Sequence, residues 1–433
     1  MNGLRLAPPQ AVVWITQTLE DSQFETWAVG GAVRDALIGR ASGDWDITTQ
    51  ATPSEVRRLF RRTVPIGIEH GTIGVIARDG VMYEVTTFRR DVETDGRHAV
   101  VAFADTLDED LGRRDFTINA IAWHPLTDAF ADPFDGASDL EQGTVRTVGS
   151  PNERFREDYL RILRGFRFAG RFDFDIHEDT WSASCDLVPQ LTSLSPERIR
   201  EELLKILATH SHPSRTLELY RASGAVGVLF PELERLSVPE PKSAPGETSV
   251  EWKGALATID VLPVGRPHLR LAGLLRGLSP DESAAILVRL KLSNIVTDAV
   301  ARLAAASPLP GADETDADVR RWLSRLGADR MTLVARLDLA EARTHSGAEP
   351  RPAAIVERWQ RARAILRSTP PLTVGALKID GRGLRAMGLK PGPIFGEILD
   401  QLLEEVLEEP VLNERTALER RVAEISAQRR SDG

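Results

Sequence analysis

The chain has 433 residues, 42% of them hydrophobic and 27% charged, which predicts a globular protein of two to four domains. No apolar run approaches the roughly 18 residues of a membrane-spanning helix, and the N-terminus lacks the apolar core of a secretion signal, so we expect a cytoplasmic protein without a membrane partner. The single cysteine, Cys185, excludes intrachain disulfides and thiolate zinc sites. The net charge of −10 argues only mildly against a nucleic-acid partner, because binding depends on a local basic face and not on the total charge.

The first predicted elements lead to a pair of glycines. The pattern of apolar residues predicts a helix over residues 9–20 and a strand over residues 24–29, which ends at Gly30 and Gly31. Glycines at this point allow backbone N–H groups to approach a phosphate where the next helical run begins, and Arg34 adds a charged donor. The segment therefore predicts a phosphate-binding turn.

Two aspartates follow in a strand-like setting. Side chains alternate along a strand, so Asp44 and Asp46 project to the same face. Like charges held this close repel each other unless a cation lies between them, and Mg²⁺ is a hard cation that binds carboxylates and substrate phosphates. The alternative is a glycine turn followed by two solvated aspartates. The phosphate-binding turn upstream favours a magnesium site with both aspartates as ligands.

A β-hairpin is predicted next. Residues 72–77 and 81–88 favour strands and are joined through Asp79-Gly80, a strong hairpin signal. Glu84 lies on the second strand, on the face opposite its apolar neighbours. It is therefore either an exposed strand glutamate or a third carboxylate beside the aspartate pair.

Two polar segments come after the hairpin. Residues 89–106 alternate basic and acidic side chains, which predicts a mobile loop, with an ordinary solvated surface loop as the alternative. Residues 110–123 carry arginines, which suit triphosphate oxygens, together with an aspartate and an asparagine, which suit ribose hydroxyls. The alternative for this second segment is a charge cluster at a helix start. Its candidate residues are Arg113, Arg114, Asp115 and Asn119.

A strongly amphipathic helix is predicted over residues 153–171. Its apolar side chains cluster on one side, and its arginines occupy an arc of about 120° on another. A solvated cationic face is the alternative to a binding face. A second helix is predicted to start at residues 195–198. The arginines of the arc are Arg161, Arg164, Arg167 and Arg171.

The second half of the chain is less informative. Residues 238–248 are rich in proline and predict a linker or loop. The remainder is rich in leucine, alanine and arginine and predicts helices, with breaks near residues 307–318, 346–352 and 368–373.

Several of these motifs together resemble a known family. The stretches GGAVRDALIGR…DWD, RRDFTINA and EDYLRILR are similar to the signatures of class II tRNA nucleotidyltransferases, the CCA-adding enzymes, and in part to those of bacterial poly(A) polymerases. The resemblance implies an α/β head with a small mixed β-sheet of the polymerase-β-like nucleotidyltransferase fold, followed by an all-α neck, body and tail. The implied domains are a catalytic head over 1–140, a base-recognising neck over 141–206, a body over 207–310 and a tRNA-binding tail over 311–433.

The resemblance also implies an activity and its residues. The expected reaction is Mg²⁺-dependent, template-independent addition of C, C and A to the 3′ end of tRNA from CTP and ATP, with release of pyrophosphate. Asp158 and Arg161, three residues apart on one helix, would read the exocyclic amine and the ring nitrogen that C and A share. The expected catalytic residues are Asp44, Asp46 and Glu84, with Asp44 and Asp46 binding metal. The expected nucleotide-binding residues are Gly30, Gly31, Arg34, Arg113, Arg114, Asp115, Asn119, Asp158, Arg161, Arg164 and Arg167.

Four alternatives remain at this point: a poly(A) polymerase, an enzyme that adds only A, one that adds only CC, and a catalytically silent tRNA-binding protein. Residues 66–75 resemble the tRNA-specific branch, and the polar 89–106 segment resembles a flexible loop that CC-adding enzymes have shortened. Residues 376–399 resemble the C-terminal tRNA-binding segment of the family, with Gly383 in place of an acidic residue. Arg276-Gly277 stands where some homologues have a His-Asp pair, so we expect no second metal site.

Overall fold

The computed structural model describes residues 6–41, 43–68, 71–94, 99–237, 250–344 and 350–431. The chain divides into two compact units. The first contains residues 1–237 and 289–291, and the second contains residues 238–288 and 292–433. The linker predicted over 238–248 lies outside the described residues.

A seven-stranded mixed sheet forms the core of the first unit. Its strands are β1 (Thr26–Val29), β2 (Asp46–Thr49), β3 (Thr63–Gly67), β4 (Thr72–Ile76), β5 (Met82–Thr87), β8 (Ala122–Trp123) and β9 (Phe130–Ala131). They are ordered β3-β4-β5-β2-β1-β8-β9, and neighbours run antiparallel except for the parallel pair β2 and β5. The predicted hairpin is confirmed as β4 and β5, joined through Asp79-Gly80.

Helices cover this sheet and then continue the unit. The Thr52 side chain and Glu55 form a capping box at the start of α3, and the Ser195 side chain caps α9, so local hydrogen bonds fix where these helices begin. The helices are α1 (Gln10–Glu20), α2 (Gly31–Leu37), α3 (Pro53–Leu59), α4 (Leu107–Gly112), α5 (Gly136–Gln142), α6 (Pro151–Glu157), α7 (Leu160–Phe172), α8 (Glu178–Leu187), α9 (Pro196–Thr209), α10 (Pro213–Ala222), α11 (Ala225–Leu229) and α12 (Pro231–Ser237). A short parallel pair, β10 (Thr144–Val145) and β11 (Asp175–Ile176), lies among them.

The prediction of a loop over residues 89–106 is wrong. Strands β6 (Arg89–Thr94) and β7 (Ala99–Phe103) pair antiparallel as a separate two-stranded sheet, with a register shift between Asp91 and Glu93. The run from 99 to 103 consists of alanine, valine and phenylalanine, and backbone pairing satisfies its N–H and C=O groups. The polar composition of the first strand concealed this hairpin.

The prediction of one helix over residues 153–171 is also wrong. Helix α6 ends at Glu157 and α7 begins at Leu160, because Asp158 has extended backbone angles, φ −159° and ψ 106°. The Asp158 carboxylate accepts a hydrogen bond from the Leu160 N–H at 3.0 Å, a local contact that competes with helix continuation. Asp158 and Arg161 therefore do not share a helix.

The second unit is built of helices, and its described residues contain no strand. Leu384, Ile398, Leu402 and Val406 belong to a buried apolar cluster that joins its last helices. The helices are α13 (Val250–Val261), α14 (Pro267–Leu275), α15 (Pro280–Arg289), α16 (Asn294–Ala304), α17 (Asp316–Leu326), α18 (Met331–Thr344), α19 (Pro352–Arg367), α20 (Gly381–Ala386), α21 (Ile394–Glu408) and α22 (Arg415–Ser431). Among the residues the structure describes, no helix combines the length and the apolar character needed to cross a bilayer.

Candidate active site

A cavity of about 630 Å³ opens in the first unit, above strands β1, β2 and β5. This volume falls in the range of small-molecule sites. Every residue predicted from the sequence to be catalytic or nucleotide-binding lines it. The lining comprises Val29, Gly30, Gly31, Arg34, Asp44, Asp46, Ile47, Thr48, Thr72, Glu84, Thr86, Arg89, Arg113, Arg114, Asp115, Asn119, Asp158, Leu160, Arg161, Arg164, Arg167, Phe168 and Arg198.

Three carboxylates lie at the centre of the cavity. Strand β2 begins at Asp46, and Trp45 points away into the core, where its ring lies 5.9 Å from that of Trp123. Asp44 and Asp46 therefore both face the cavity. Ile47 pairs with Val85 across the parallel strands, which brings Glu84 beside Asp46.

The negative charge of this cluster is only partly balanced. Burial and repulsion from Asp44 raise the pKa of Asp46 from 3.8 to about 6, with Glu84 adding to the rise and Arg114 opposing it. A group whose ionised form is disfavoured in this way is stabilised by a bound cation. Among the described residues, no group of three or more His, Cys, Asp or Glu side chains is placed to hold a metal ion by itself. A pair of aspartates plus substrate phosphates fits the way Mg²⁺ is bound.

The absence of a side chain at Gly30 leaves space in the cavity. Its φ is +75°, and a Cβ atom there would lie 3.1 Å from Nη1 of Arg114 and 3.6 Å from Oδ2 of Asp46. The glycine thus leaves open the space between a cation and a carboxylate where a phosphate would bind.

A hydrogen-bonded network forms the wall around Asp115. Burial alone would raise the pKa of the Asp115 carboxyl, but the charge of Arg164 and hydrogen bonds from Asn119 and Arg164 outweigh burial and lower this pKa to about 2. Arg164 Nε donates to Asp115 at 2.7 Å, and Asn119 Nδ2 donates at 2.9 Å. Asn119 in turn accepts from Arg34 Nη1 at 2.5 Å. These contacts hold two arginines at the cavity surface without free rotation.

Aromatic rings of α7 lie against three of the cavity's arginines. The guanidinium carbon of Arg34 lies 5.0 Å from the ring centroid of Phe168 and 4.7 Å from that of Phe172. Arg164 and Arg167 also lie over Phe168, at 5.4 and 4.5 Å. Two rings from α7 thus lie against a guanidinium supplied by α2.

Asp158 and Arg161 line the cavity but are held by other partners than expected. The Asp158 carboxylate accepts from both terminal nitrogens of Arg198, at 3.0 and 2.7 Å. Arg161 pairs with Glu157 and donates to the Arg113 carbonyl oxygen at 3.2 Å. Asp158 and Arg161 thus each have close partners other than one another.

Nine lining residues were not predicted from the sequence, and three of them make contacts that shape the site. Phe168, like Leu160, is an apolar side chain within the arginine arc of its helix, and this signal was available in the sequence. Arg198 lies forty positions after Asp158, so its pairing depends on tertiary structure. Arg89 begins β6, where its backbone N–H donates to Asp110, which also accepts from Arg114 Nη2 at 3.2 Å. The buried Asp110 carboxylate, only 2% exposed, therefore holds both the start of β6 and the Arg114 side chain in place.

The chain is similar over most of its length to known proteins. Residues 26–146 match the family model of the poly A polymerase head domain, residues 173–236 the probable RNA and SrmB-binding site of polymerase A, and residues 271–422 the putative domain 2 of tRNA nucleotidyltransferases. The CCA-adding enzyme of Geobacillus kaustophilus is 35% identical over 415 residues, which span 95% of this chain and 96% of that protein. The chain belongs to the CCA-adding enzyme family. The CCA-adding enzyme of Leuconostoc mesenteroides, another relative, is 33% identical over 411 residues, 94% of each chain.

Solved structures of the CCA-adding family confirm the fold. The crystal structure of the Bacillus stearothermophilus CCA-adding enzyme in complex with CTP covers 99% of this chain and 100% of that one, with 30% identity and a TM-score of 0.77. The predicted architecture, a mixed-sheet α/β head followed by helical parts, is confirmed. The four domain boundaries and the roles of individual residues remain predictions.

Proposed function

We propose that this enzyme adds C, C and A to the 3′ end of tRNA, with CTP and ATP as substrates and pyrophosphate as product. The observation that carries the proposal is one cavity in which carboxylates lie beside a gap at Gly30 and a wall of arginines. The chain is also similar over 95% of its length to a CCA-adding enzyme. The match of residues 271–422 to a tRNA nucleotidyltransferase domain favours tRNA over the poly(A) alternative, and the relatives' name favours complete CCA addition over partial addition.

The reaction forms a bond between the 3′ oxygen of tRNA and the α-phosphorus of the nucleotide, breaks the bond to the bridging oxygen, and releases pyrophosphate. Enzymes of this family are in general metal-dependent, and we propose Mg²⁺ held by Asp44 and Asp46. When bound, the metal offsets negative charge that develops at the reacting phosphate. We propose that Glu84, which lies beside Asp46, orients the attacking hydroxyl and takes up its proton.

The remaining lining residues bind the nucleotide. Arg114, Arg164 and Arg167 contact the triphosphate, with the turn at Gly30 and Gly31 giving it room. Arg34 and Arg113 add positive charge, and Asp115 and Asn119 suit the ribose hydroxyls. Asp158 accepts from the base amine and Arg161 donates to the ring nitrogen. A carboxylate has about four acceptor positions, and the Leu160 N–H and Arg198 use three at Asp158, which leaves one for the base.

The reaction itself is tested by labelling tRNA ends. Transcripts ending before the CCA sequence, after C and after CC are incubated with CTP alone, ATP alone, UTP alone and CTP plus ATP. A complete CCA-adding enzyme extends the first transcript by two residues with CTP and by three with both nucleotides. Extension of only the last transcript indicates an A-adding enzyme, arrest after CC indicates a CC-adding enzyme, and a ladder of A residues indicates a poly(A) polymerase.

The β6–β7 hairpin is expected to help the enzyme change from adding C to adding A. Deleting residues 91–98 removes most of β6 and is expected to leave addition of CC within about threefold of wild type while A addition falls more than about tenfold, one decade being about 1.4 kcal/mol. Incorporation of CMP and AMP is measured separately on transcripts ending before CCA and after CC. Equal loss of both activities contradicts the assignment and makes the hairpin general scaffolding.

The helical tail is expected to bind tRNA. A chain ending near residue 235 lacks the second unit and is expected to lose at least about tenfold in tRNA affinity, whereas affinity for CTP stays unchanged because the cavity lies in the first unit. Binding of the full chain should weaken steeply with salt as phosphate contacts are screened. Undiminished tRNA affinity of the shortened chain contradicts the tail assignment.

We expect the enzyme to work in the cytoplasm.

A further inference from the structure

The outer part of the sheet carries an exposed apolar surface beside the carboxylates. Val64 and Ile66 on β3 and Met82 on β5 are 38%, 43% and 47% exposed. Single exposed apolar side chains are ordinary, but three that adjoin on one sheet face form a surface to which something can bind. We call Val64, Ile66 and Met82 the apolar platform.

Strand register connects the platform to the reaction centre. Ile47 pairs with Val85, so Asp46 neighbours Glu84, and Glu84 pairs with Gly74. Gly74 in turn pairs with Val64. Residues opposite each other across strands share a face and are about 5 Å apart, so Gly74 lies about 5 Å and Val64 about 10 Å beyond Glu84.

Gly74 lets the platform reach the carboxylates. A Cβ atom on Gly74 would lie 2.7 Å from Sδ of Met82 and 2.8 Å from Cδ1 of Ile66. These two side chains therefore close over the glycine, which is buried although its neighbours are exposed. The result is a continuous apolar surface that begins at Met82, two residues before Glu84 on the same strand.

The phosphate-binding elements lie on the other side of the carboxylates. Gly30 and Arg114 adjoin Asp46 at the end of β1, and the sheet order places β1 on one side of β2 and strands β5, β4 and β3 on the other. In phosphoryl transfer the attacking and leaving oxygens are roughly in line across the phosphorus. If the pyrophosphate leaves toward Arg114, the attacking 3′ oxygen arrives from the side of Glu84 and the platform.

We propose that the apolar platform seats the last nucleotide of the acceptor RNA, with its base packed on Met82 and Ile66 and its 3′ hydroxyl beside Glu84. This inference rests on the proposed nucleotidyl transfer and names where its second substrate lies. Packing against aliphatic side chains requires only the flat face of a base and involves no hydrogen bond to its edge, so it tolerates any base. Such tolerance suits an acceptor whose terminal base changes after every addition.

The test replaces the platform by polar side chains of similar size. In the double variant Ile66→Gln, Met82→Gln, kcat/KM for tRNA in CMP transfer should fall about tenfold, as expected for losing roughly 55 Å² of apolar contact. The Kd of CTP should stay within about twofold of wild type, because the nucleotide binds on the opposite side of the carboxylates. Val81→Gln is the matched control, since Val81 is also 47% exposed but lies one residue earlier, on the other face of the hairpin.

Wild-type kinetics separate this inference from the proposed function. If the wild-type protein transfers no CMP, the proposed function is wrong. If the wild-type protein transfers CMP and the double variant has the same kcat/KM for tRNA as the Val81→Gln control, only the platform assignment is overturned. Photocrosslinking of the wild-type enzyme gives a test that does not depend on folding of the variant. A tRNA lacking CCA with 4-thiouridine as its last nucleotide should crosslink to the peptide containing residues 64–84, and a crosslink elsewhere overturns the proposal.

Discussion

Replacing Asp46 with asparagine is expected to lower the rate of nucleotide transfer more than about a hundredfold, the loss typical of removing a group that stabilises charge at the reacting centre. The change removes one of the two carboxylates proposed to hold the metal while keeping the shape of the side chain. Affinity for tRNA should change little, because the tail is expected to supply most of it. Single-turnover incorporation of CMP measures the effect, and Asp44→Asn is expected to behave alike. The control is Asp21→Asn, which changes an exposed carboxylate directly after α1.

The same variant is expected to be at least as heat-stable as the wild type when no divalent cation is present. The pKa of Asp46 is raised by burial and Asp44 from 3.8 to about 6, so the folded chain binds more protons than the unfolded chain between these pH values. Stability contributed by the protonated carboxyl is thus lost as pH rises through this window, and asparagine avoids the loss. The difference in Tm between variant and wild type, measured in chelator, should grow across the window. A variant with a clearly lower Tm would mean that its inactivity reflects unfolding.

Replacing Asp158 with alanine is expected to reduce the preference for CTP over UTP by roughly 5- to 150-fold, since a two-point contact to a base contributes about 1–3 kcal/mol of discrimination. The carboxylate is held in place by Arg198 and the Leu160 N–H, so its orientation does not depend on bound nucleotide. Arg161→Ala should cost more in overall rate, because it also removes a cation from the cavity. The measurement is kcat/KM for CTP and UTP on tRNA lacking CCA.

Asp175→Ala removes a carboxylate that is 99% exposed and serves as the control for this prediction. Loss of Asp158 leaves the Arg198 guanidinium without its paired carboxylate, so the variant is compared with wild type by Tm before kinetics are interpreted. An unchanged ratio of CTP to UTP in a folded Asp158→Ala enzyme contradicts base recognition by this residue and leaves the enzyme class untouched.

The candidate residues were predictable because each belongs to a short local pattern. The glycine pair, the aspartates on alternate positions and the Asp79-Gly80 hairpin are determined by neighbours within a few residues. The structure brings the glycines and the aspartates to one cavity. The β6–β7 hairpin was missed because a polar strand is recognised by its partner strand, which composition does not reveal.

The break between α6 and α7 was missed for a related reason. The apolar periodicity continues through both helices, while the interruption arises from one side chain, Asp158, that bonds to the Leu160 N–H and to distant Arg198. Long-range pairing also determines the surroundings of Arg34. Predicted as a phosphate contact, it is 4% exposed and bonded to Asp35 and Asn119, so its main contacts in the structure are to the protein.

The burial of Arg34 has a consequence for attempts to exchange parts between related enzymes. Its cation comes from α2, but the rings that cover it, Phe168 and Phe172, come from α7, beyond the predicted end of the head at residue 140. In a chimera joined near residue 140 that lacked those rings, the buried Arg34 guanidinium at the floor of the nucleotide cavity would lose its cation–π contacts. Swapping substrate preference between family members therefore requires that α2 and α7 be transplanted as a matched pair, although more than a hundred residues separate them in the chain.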